Sequence, residues 1–262
     1  MQFNTIEYDN PQDGIGRITL NRPQRLNAIN LEMLEELHAL FEDLKEQQDV
    51  RVLIITGAGR GFCSGADLLD ERIAGEAGTL FSSAALHLVK IQRVYSRLII
   101  EMRRLPQPII AAVNGPAAGG GMCIALASDV IIADAKAAFT PSFINIGLSG
   151  GELGSSYFLP KLVGNARAAD ILLTGRTVEA AEADKIGLIS RLVDENELMA
   201  IALEIAADML DKTRLGLQFT KEVLNQNRHA PSLEAPFLFP LVKRAAPALA
   251  GHGPHSWAGK PE

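Results

Sequence analysis

RVLIITGAGRGFCSGADL, at residues 51–68, joins a run of β-branched residues to a glycine-rich segment. The run Arg51–Thr56 predicts a strand, and its consecutive apolar residues are typical of a strand covered on both faces. Four glycines follow within nine residues, and glycine permits both unusual dihedral angles and close approach of the backbone to a ligand. A plain turn has the same composition, so this segment by itself does not identify a site.

PIIAAVNGPAAGGGMC, at residues 108–123, repeats the arrangement. Pro108–Val113 predicts a second buried strand, and three consecutive glycines lead into Gly120–Ala127, whose almost entirely apolar composition predicts a buried helix. The first N–H groups of a helix have no partner within it and lie at the positive end of its dipole. A site that stabilises a developing oxyanion needs such preorganised donors. Close packing of a helix on a strand also favours glycine, so the motif alone leaves both interpretations open.

Strand-like and helix-like patterns alternate outward from these two stretches. Further strands are predicted at Gly16–Leu20, Val130–Ala133 and Ile186–Val193. Further helices, the first of them with Asn30 as its N-cap, are predicted at Leu31–Gln47, Leu80–Arg104, Glu195–Leu210 and Arg214–Asn227. The alternation predicts an α/β fold. Strand signals stop near residue 195, so we expect a core domain at residues 1–195 and a helical C-terminal region at residues 196–262.

Composition limits the classes of function. Hydrophobic residues make up 47% of the 262 residues and the net charge is −6, which is typical of a globular protein and lacks the basic surface that nucleic acid or anionic lipid requires. The N-terminus has no signal-peptide pattern and no apolar run is long enough to span a bilayer. We therefore expect a cytoplasmic protein with reduced cysteines and with neither a nucleic-acid nor a membrane partner. His252 and His255 form H-x-x-H in a Gly/Pro-rich tail, which is weak evidence for a metal, and we expect none.

Four segments carry a more specific signal together: GFCSGADL at residues 61–68, AAVNGPAAGGG at 111–121, NRPQRLNAIN at 21–30, and LPKLVGNARAADILLTGRTVEAAEADKIGLISRLV at 159–193. In combination they resemble the crotonase (enoyl-CoA hydratase/isomerase) family, over nearly the whole chain. The resemblance implies a fold of repeated ββα units with a helical C-terminal region used in oligomerisation. It also implies an acyl-CoA thioester as substrate, with coenzyme A as part of that substrate and no separate cofactor, and assembly as a homotrimer or hexamer.

The resemblance also assigns site residues. The N–H groups of Ala66 and Gly120 match the oxyanion hole that grips the thioester carbonyl oxygen. Arg22 and Arg25 are candidates for the phosphates of coenzyme A. The positions that match substrate-binding positions of the family are Arg25, Leu26, Ala28, Ser64, Gly65, Asp67, Leu68, Gly119, Cys123 and Phe143.

The chain departs from the family pattern at the two glutamates that enoyl-CoA hydratases carry, because Cys123 and Phe143 stand at the matching positions. Hydration needs a base for water and an acid for the α-carbon, and neither residue can serve as these carboxylates. Glu152, counted back from Ser155 in GELGSSYFLP, matches an aspartate of some isomerases and dehalogenases, although the loop before it is one residue longer. We expect Glu152 to be the base of an isomerase. An acidic residue at a helix N-terminus is the structural alternative.

Other functions stay open at this point. An enoyl-CoA hydratase of fatty-acid-type degradation and a non-catalytic acyl-CoA binder are compatible with the same resemblance. Ser149 lies in a match to the motif G-x-S-x-G, and the strand-like segment FINI precedes it. A serine hydrolase would need both the motif and the strand. Cys123 is conceivable as a nucleophile, but inside an apolar helix a cysteine usually acts as a small hydrophobic residue. Neither G-x-G-x-x-G after a strand nor a P-loop motif occurs.

Overall fold

The computed structural model describes residues 2–70, 81–228 and 230, and for residues 81–91 it describes the backbone alone. The strands of the described residues, in chain order, are β1 (Ile6–Gln12), β2 (Ile15–Leu20), β3 (Val52–Gly57), β4 (Ile109–Val113), β5 (Pro116–Ala118), β6 (Val130–Asp134), β7 (Ala138–Thr140), β8 (Val178–Glu179) and β9 (Arg191–Val193). The helices are α1 (Leu31–Glu46), α2 (Phe81–Arg104), α3 (Gly120–Ala127), α4 (Ser155–Val163), α5 (Asn165–Thr174), α6 (Ala180–Lys185), α7 (Leu198–Leu210) and α8 (Arg214–Asn227).

Six strands form the main sheet in the order β1-β2-β3-β4-β6-β9, and β5, β7 and β8 form a small second sheet. In the main sheet β1 is antiparallel to β2, and the other neighbours are parallel. Parallel strands need crossover connections, and helices supply them here. The predicted α/β class is confirmed.

The central strands β3 and β4 are buried on both faces, which explains their consecutive apolar residues. Leu53 and Ile55 of β3 join the large core formed with α1, α2 and α3. Val52 and Ile54, which alternate with them, face the opposite side and pack with α7. Because successive side chains of a strand point to opposite faces, an unbroken apolar run is required here.

Several predicted elements are found close to their expected bounds, including α1, α3 and α8. The Asn30 side chain caps α1 by accepting a hydrogen bond from the N–H of Met33 at 2.9 Å. The helix expected from Glu195 starts at Leu198, after a 3-10 turn at Glu195–Glu197. The predicted tail and most of the region beyond residue 228, including His252 and His255, lie outside the described residues.

The strand predicted over Ile186–Val193 is wrong in its first half. Ile186 ends α6, where its N–H donates to the carbonyl of Glu182, and Gly187 then turns the chain with φ +78°. Leu188 and Ile189 are buried by this turn, and only Arg191–Val193 pairs with β6. The apolar run therefore reflects burial in a helix C-terminal turn, which a short apolar pattern does not distinguish from a strand.

Candidate active site

The two glycine-rich loops are joined by backbone hydrogen bonds. The N–H of Ala118 donates to the carbonyl of Cys63 at 2.9 Å, and Cys63 forms a parallel bridge with Ala117. On its other side the first loop pairs with Ile29, whose N–H donates to Gly65 at 2.7 Å and whose carbonyl accepts from Asp67 at 2.9 Å. Ala66 lies between these two bonds. Its backbone is therefore held in place by its neighbours.

Gly65 and Gly121 allow the loops to come this close. Gly65 has φ +91°, and a β-carbon there would lie 2.8 Å from the carbonyl oxygen of Ala118 and 3.1 Å from the nitrogen of Gly120. A β-carbon at Gly121 would lie 2.1 Å from the carbonyl oxygen of Cys63. A side chain at either position would collide with backbone atoms, so glycine here serves close approach as well as dihedral freedom.

The predicted oxyanion donors, Ala66 and Gly120, thus lie on adjoining segments. Gly120 is the first residue of α3, where N–H groups have no partner in the helix. Within the described part of the chain, no hydrogen bond joins the N–H of either residue to an acceptor. The N–H of Gly119, by contrast, is used by the carbonyl of Thr140 at 2.9 Å. Two available donors on a fixed backbone can bind a negatively charged oxygen.

Apolar side chains pack beside Gly119 and Gly120. A β-carbon at Gly120 would lie 3.4 Å from Cδ1 of Ile29 and 3.6 Å from Cδ1 of Leu153. Ring atoms of Phe143 lie within 3.9 Å of the corresponding point at Gly119. Ile29 is fully buried, and its carbonyl also accepts a hydrogen bond from the buried Tyr95 hydroxyl at 2.6 Å. Apolar walls exclude water and strengthen hydrogen bonds to a developing charge.

Glu152 lies beside the same helix. It begins a 3-10 turn, Glu152–Gly154, that precedes α4. Its carbonyl accepts hydrogen bonds from the hydroxyl of Ser155 at 2.8 Å and from Sγ of Cys123 at 3.7 Å. Its carboxylate accepts a hydrogen bond from the side-chain amide of Gln92 in α2. The turn thus places the backbone of the half-buried Glu152 next to α3, and the following residue, Leu153, touches the Gly120 position.

Leu153 is a residue with an unusual backbone. Its φ of 50° and ψ of 29° lie in the left-handed region, which costs a non-glycine residue about 1–2 kcal/mol. Such conformations persist where surrounding structure fixes them, and they concentrate at functional sites. Leu153 packs against the main core, so its side chain contributes the apolar contacts that oppose this cost.

Two asparagines hold the loops, and the sequence reasoning missed both. The fully buried Asn27 donates from Nδ2 to the carbonyls of Ala58 at 2.9 Å and Gly61 at 2.8 Å. Asn114 donates to the carbonyl of Gly57 at 2.8 Å and accepts from the N–H of the same residue. Both asparagines stand inside the motifs that signal the family. Their contacts depend on segments far apart in sequence.

Asp67 forms a buried ion pair at the edge of the site. Its carboxylate lies 2.8 Å from Nη2 of Arg22 and 3.5 Å from Nη2 of Arg25. Burial raises the pKa of Asp67, but hydrogen bonds from Arg22 and from the N–H of Leu69 outweigh it and lower that pKa. Arg22 also donates to the carbonyl of Ala28, so its guanidinium is engaged within the protein. The Asp67 carboxylate is therefore engaged within the protein by both arginines.

The other predicted binding residues lie around this ion pair. The side chain of Arg25 is 40% exposed and Leu68 is 58% exposed, while Leu26 and Ser64 are half-buried and Ala28 is buried. The carbonyl of Leu26 accepts from the N–H of Ser64 at 2.9 Å. The structure thus joins the segment of Leu26 to the loop that carries Ala66, and contact of these residues with substrate stays a prediction.

The nucleophile alternatives receive no support. Cys63 and Cys123 are fully buried, and burial raises the pKa of Cys63 to about 12 and that of Cys123 further, so neither is a thiolate at neutral pH. The segment FINI forms a 3-10 turn at Ile144–Ile146 and not the strand that a nucleophile elbow needs. The hydroxyl of Ser149 accepts a hydrogen bond from the N–H of Gly151 at 3.1 Å.

Cavities lined by described residues also occur away from this site. One of about 320 Å³ is lined by Arg103, Asp129, Lys161 and Arg228, among others. Asp129 immediately precedes β6, whereas the glycine-rich loops follow β3 and β4. The cavity therefore lies at the amino ends of the strands, and ligand sites of parallel sheets lie at the carboxyl ends. Across the described ranges, no cluster of His, Cys, Asp or Glu side chains is arranged to hold a metal ion. Within the same ranges none of the helices has the length and apolar composition that crossing a bilayer requires.

Comparison with known proteins places this chain in the enoyl-CoA hydratase/isomerase family. The family model described as "Enoyl-CoA hydratase/isomerase" matches residues 10–237. "Probable enoyl-CoA hydratase echA12" of Mycobacterium bovis is 42% identical over 230 residues, which cover 88% of this chain and 80% of the relative. "1,2-epoxyphenylacetyl-CoA isomerase" of Escherichia coli K12 is 36% identical over 216 residues, covering 82% and 79%. The crystal structure of a monofunctional enoyl CoA isomerase from M. smegmatis matches with a TM-score of 0.74 and 39% identity, covering 90% of this chain and 99% of that one.

Proposed function

This chain belongs to the enoyl-CoA hydratase/isomerase (crotonase) family of enzymes, and we propose that within it the chain is an enoyl-CoA isomerase. The reaction moves a double bond along the acyl chain of a coenzyme A thioester through a dienolate. The observation that carries the proposal is the position of Glu152, a single half-buried carboxylate on the turn whose next residue touches Gly120. One carboxylate is sufficient for this reaction, because the group that removes a proton from one carbon returns a proton to another, and the carboxyl proton exchanges with solvent between the two steps.

The first step is binding of the thioester carbonyl oxygen by the N–H groups of Ala66 and Gly120. Removal of a proton from the carbon chain places negative charge on that oxygen. Donors that are already oriented stabilise this charge without further rearrangement, and each contributes about 3 kcal/mol to the transition state. Ile29, Leu153 and Phe143 supply apolar contacts around the oxygen.

The second step is proton transfer by Glu152. Its carboxylate takes the acidic proton of the 3-enoyl ester and delivers it two carbons away, which regenerates both the carboxylate and the neutral thioester. The other carboxylate near the donors, Asp67, is engaged by Arg22 and is unsuited to this role. Cys123 and Phe143 provide no carboxylate to activate water, which argues for isomerisation over hydration.

Hydration is the second candidate, because a relative at 42% identity carries the name of an enoyl-CoA hydratase. A non-catalytic acyl-CoA binder would need the same two N–H donors but not Glu152. We further propose that the enzyme acts in the cytoplasm as a homotrimer or hexamer, with the region after residue 195 contributing to assembly. The support for these proposals is the family resemblance.

The test uses a 3-enoyl-CoA and a 2-enoyl-CoA in deuterated water, with products followed by mass spectrometry. Conversion of the 3-enoyl ester with deuterium uptake but without addition of water is the expected result. Glu152→Gln is expected to keep binding of the CoA ester and to lower turnover at least about a hundredfold, as loss of a general base does. Glu195→Gln, which removes a carboxylate from an exposed ion pair with Lys136, is the matched control and should retain full activity. Full activity of Glu152→Gln, or addition of water to the 2-enoyl ester, would refute the proposal.

A further inference from the structure

A side chain of α2 forms a hydrogen bond with the proposed base, Glu152, which lies on a distant segment of the chain. Nε2 of Gln92 donates a hydrogen bond to Oε2 of Glu152, although 60 residues separate the two in sequence. The turn Glu152–Gly154 packs against α2, so the contact joins two elements that the fold brings together. Nothing in the local sequence around either residue indicates this pairing.

The backbone of Glu152 is fixed without Gln92. Its carbonyl is held by the hydroxyl of Ser155 and the thiol of Cys123, and Leu153 follows in a left-handed conformation. The side chain nevertheless has rotatable bonds between Cα and the carboxylate, and ordering a glutamate side chain costs on the order of 1–2 kcal/mol. Among the described residues, Gln92 is the side chain that donates to this carboxylate. The contacts that fix the backbone of Glu152 do not set the direction of its carboxylate. That direction depends on the hydrogen bond from Gln92.

We infer that Gln92 is a positioning residue, which holds the carboxylate of Glu152 in the direction required for proton transfer. The inference rests on the proposed function, because it assigns Gln92 a role through the same base. The amide binds one carboxylate oxygen, and within the described residues the other oxygen accepts no hydrogen bond. That oxygen takes a proton from one carbon and returns a proton to another, so the carboxylate is regenerated and the amide stays neutral throughout.

A neutral amide suits this task for a chemical reason. A lysine or arginine at this position would pair with the carboxylate and reduce its basicity, as Arg22 does at Asp67. An amide orients the carboxylate by a hydrogen bond without adding a positive charge. The exposed location of Gln92 also means that the contact adds little to the stability of the fold. A positioning role and a structural role therefore predict different measurements.

The experiment compares Gln92→Ala and Gln92→Glu with Arg93→Ala, a neighbouring exposed residue of α2 that lines a separate cavity with Glu42. Misorientation of a catalytic group lowers turnover by about tenfold to a hundredfold, so we expect that loss in kcat for both Gln92 variants. The expected KM changes by less than about threefold, because binding of the ester does not use Gln92. Thermal unfolding should be the same for all three variants and the parent enzyme. A parental kcat in both Gln92 variants would overturn the inference.

A double-mutant cycle separates positioning from an independent effect. In the Glu152→Gln background, Gln92→Ala should change the residual rate by less than about twofold, because the group that it orients is no longer a base. A further tenfold loss in that background would show that Gln92 acts elsewhere and would overturn the inference. If Glu152→Gln is itself fully active, the proposed function fails together with the inference. If Glu152→Gln is inactive and Gln92→Ala is not, the inference alone fails.

Discussion

Replacing Gly65 by alanine is expected to inactivate the enzyme while the chain still folds. The new β-carbon would lie 2.8 Å from the carbonyl oxygen of Ala118 and 3.1 Å from the nitrogen of Gly120. Ordinary van der Waals contact begins near 3.4 Å, so these atoms must separate by about half an ångström. Both contacts are backbone atoms, which cannot rotate away. The displaced segments carry both proposed oxyanion donors.

The expected loss of folding stability in Gly65→Ala has two parts. A non-glycine residue at φ +91° is strained by about 1–3 kcal/mol, and the forced contact adds about 1–3 kcal/mol, as overpacking does. Gly187→Ala is the matched control, because Gly187 has φ +78° and its β-carbon would meet no heavy atom closer than 3.7 Å. Gly187→Ala should lose only about 1–3 kcal/mol of stability, the part that comes from backbone strain, and it should keep its activity. Displacing the donors should lower kcat/KM of Gly65→Ala at least about a hundredfold.

The assay is turnover of an enoyl-CoA ester beside chemical unfolding of the same preparations. Circular dichroism should show native helix content for both variants at low denaturant. If folded Gly65→Ala keeps activity within about threefold of the parent enzyme, the close contact between the loops is not needed for catalysis. The assignment of Ala66 and Gly120 as donors would then be wrong.

Three further predictions concern stability. Burial raises the pKa of Cys63 to about 12, against about 8.5 in the unfolded chain, so the free energy of unfolding should fall by about 1.4 kcal/mol per pH unit above pH 8.5 through this thiol. Cys63→Ala should reduce this pH dependence in urea unfolding. An unchanged pH dependence would contradict burial of the thiol. Asp129→Asn should destabilise the fold by about 3–5 kcal/mol, because Asp129 lies 2.9 Å from the buried ammonium of Lys221, and a loss below about 1 kcal/mol would contradict this ion pair. Leu153→Gly should be more stable than Leu153→Ala by about 1 kcal/mol, since glycine relieves the left-handed backbone, and the reverse order in thermal unfolding would exclude that conformation.

The sequence predicted β2, β3, β4 and β6 of the main sheet well because these strands carry runs of apolar residues. The edge strand β1, IEYDNPQ, was missed because most of its residues are exposed or half-buried. Arg51–Thr56 and Pro108–Val113 lie within a residue of β3 and β4. The small sheet of β5, β7 and β8 was missed because strands of two or three residues have no measurable periodicity. The segments of α4 and α5 overlap the family motif at residues 159–193, but they were not predicted as helices. The strand predicted at Ile186–Val193 was wrong in its first half because buried turns and strands share apolar composition.

Composition and local pattern by themselves predicted an α/β protein with glycine at two strand ends, and the resemblance of its motifs indicated the crotonase family. These properties depend on residue type and short spacing, which the chain carries without folding. Tertiary structure alone decided that Gly65 meets Gly120, that Asn27 and Asn114 hold the loops, and that Gln92 reaches Glu152. Each of these contacts joins residues that are 31 to 60 positions apart, so no local signal specifies it. The donors and the proposed base are a site only because the sheet and α3 bring their segments to one place.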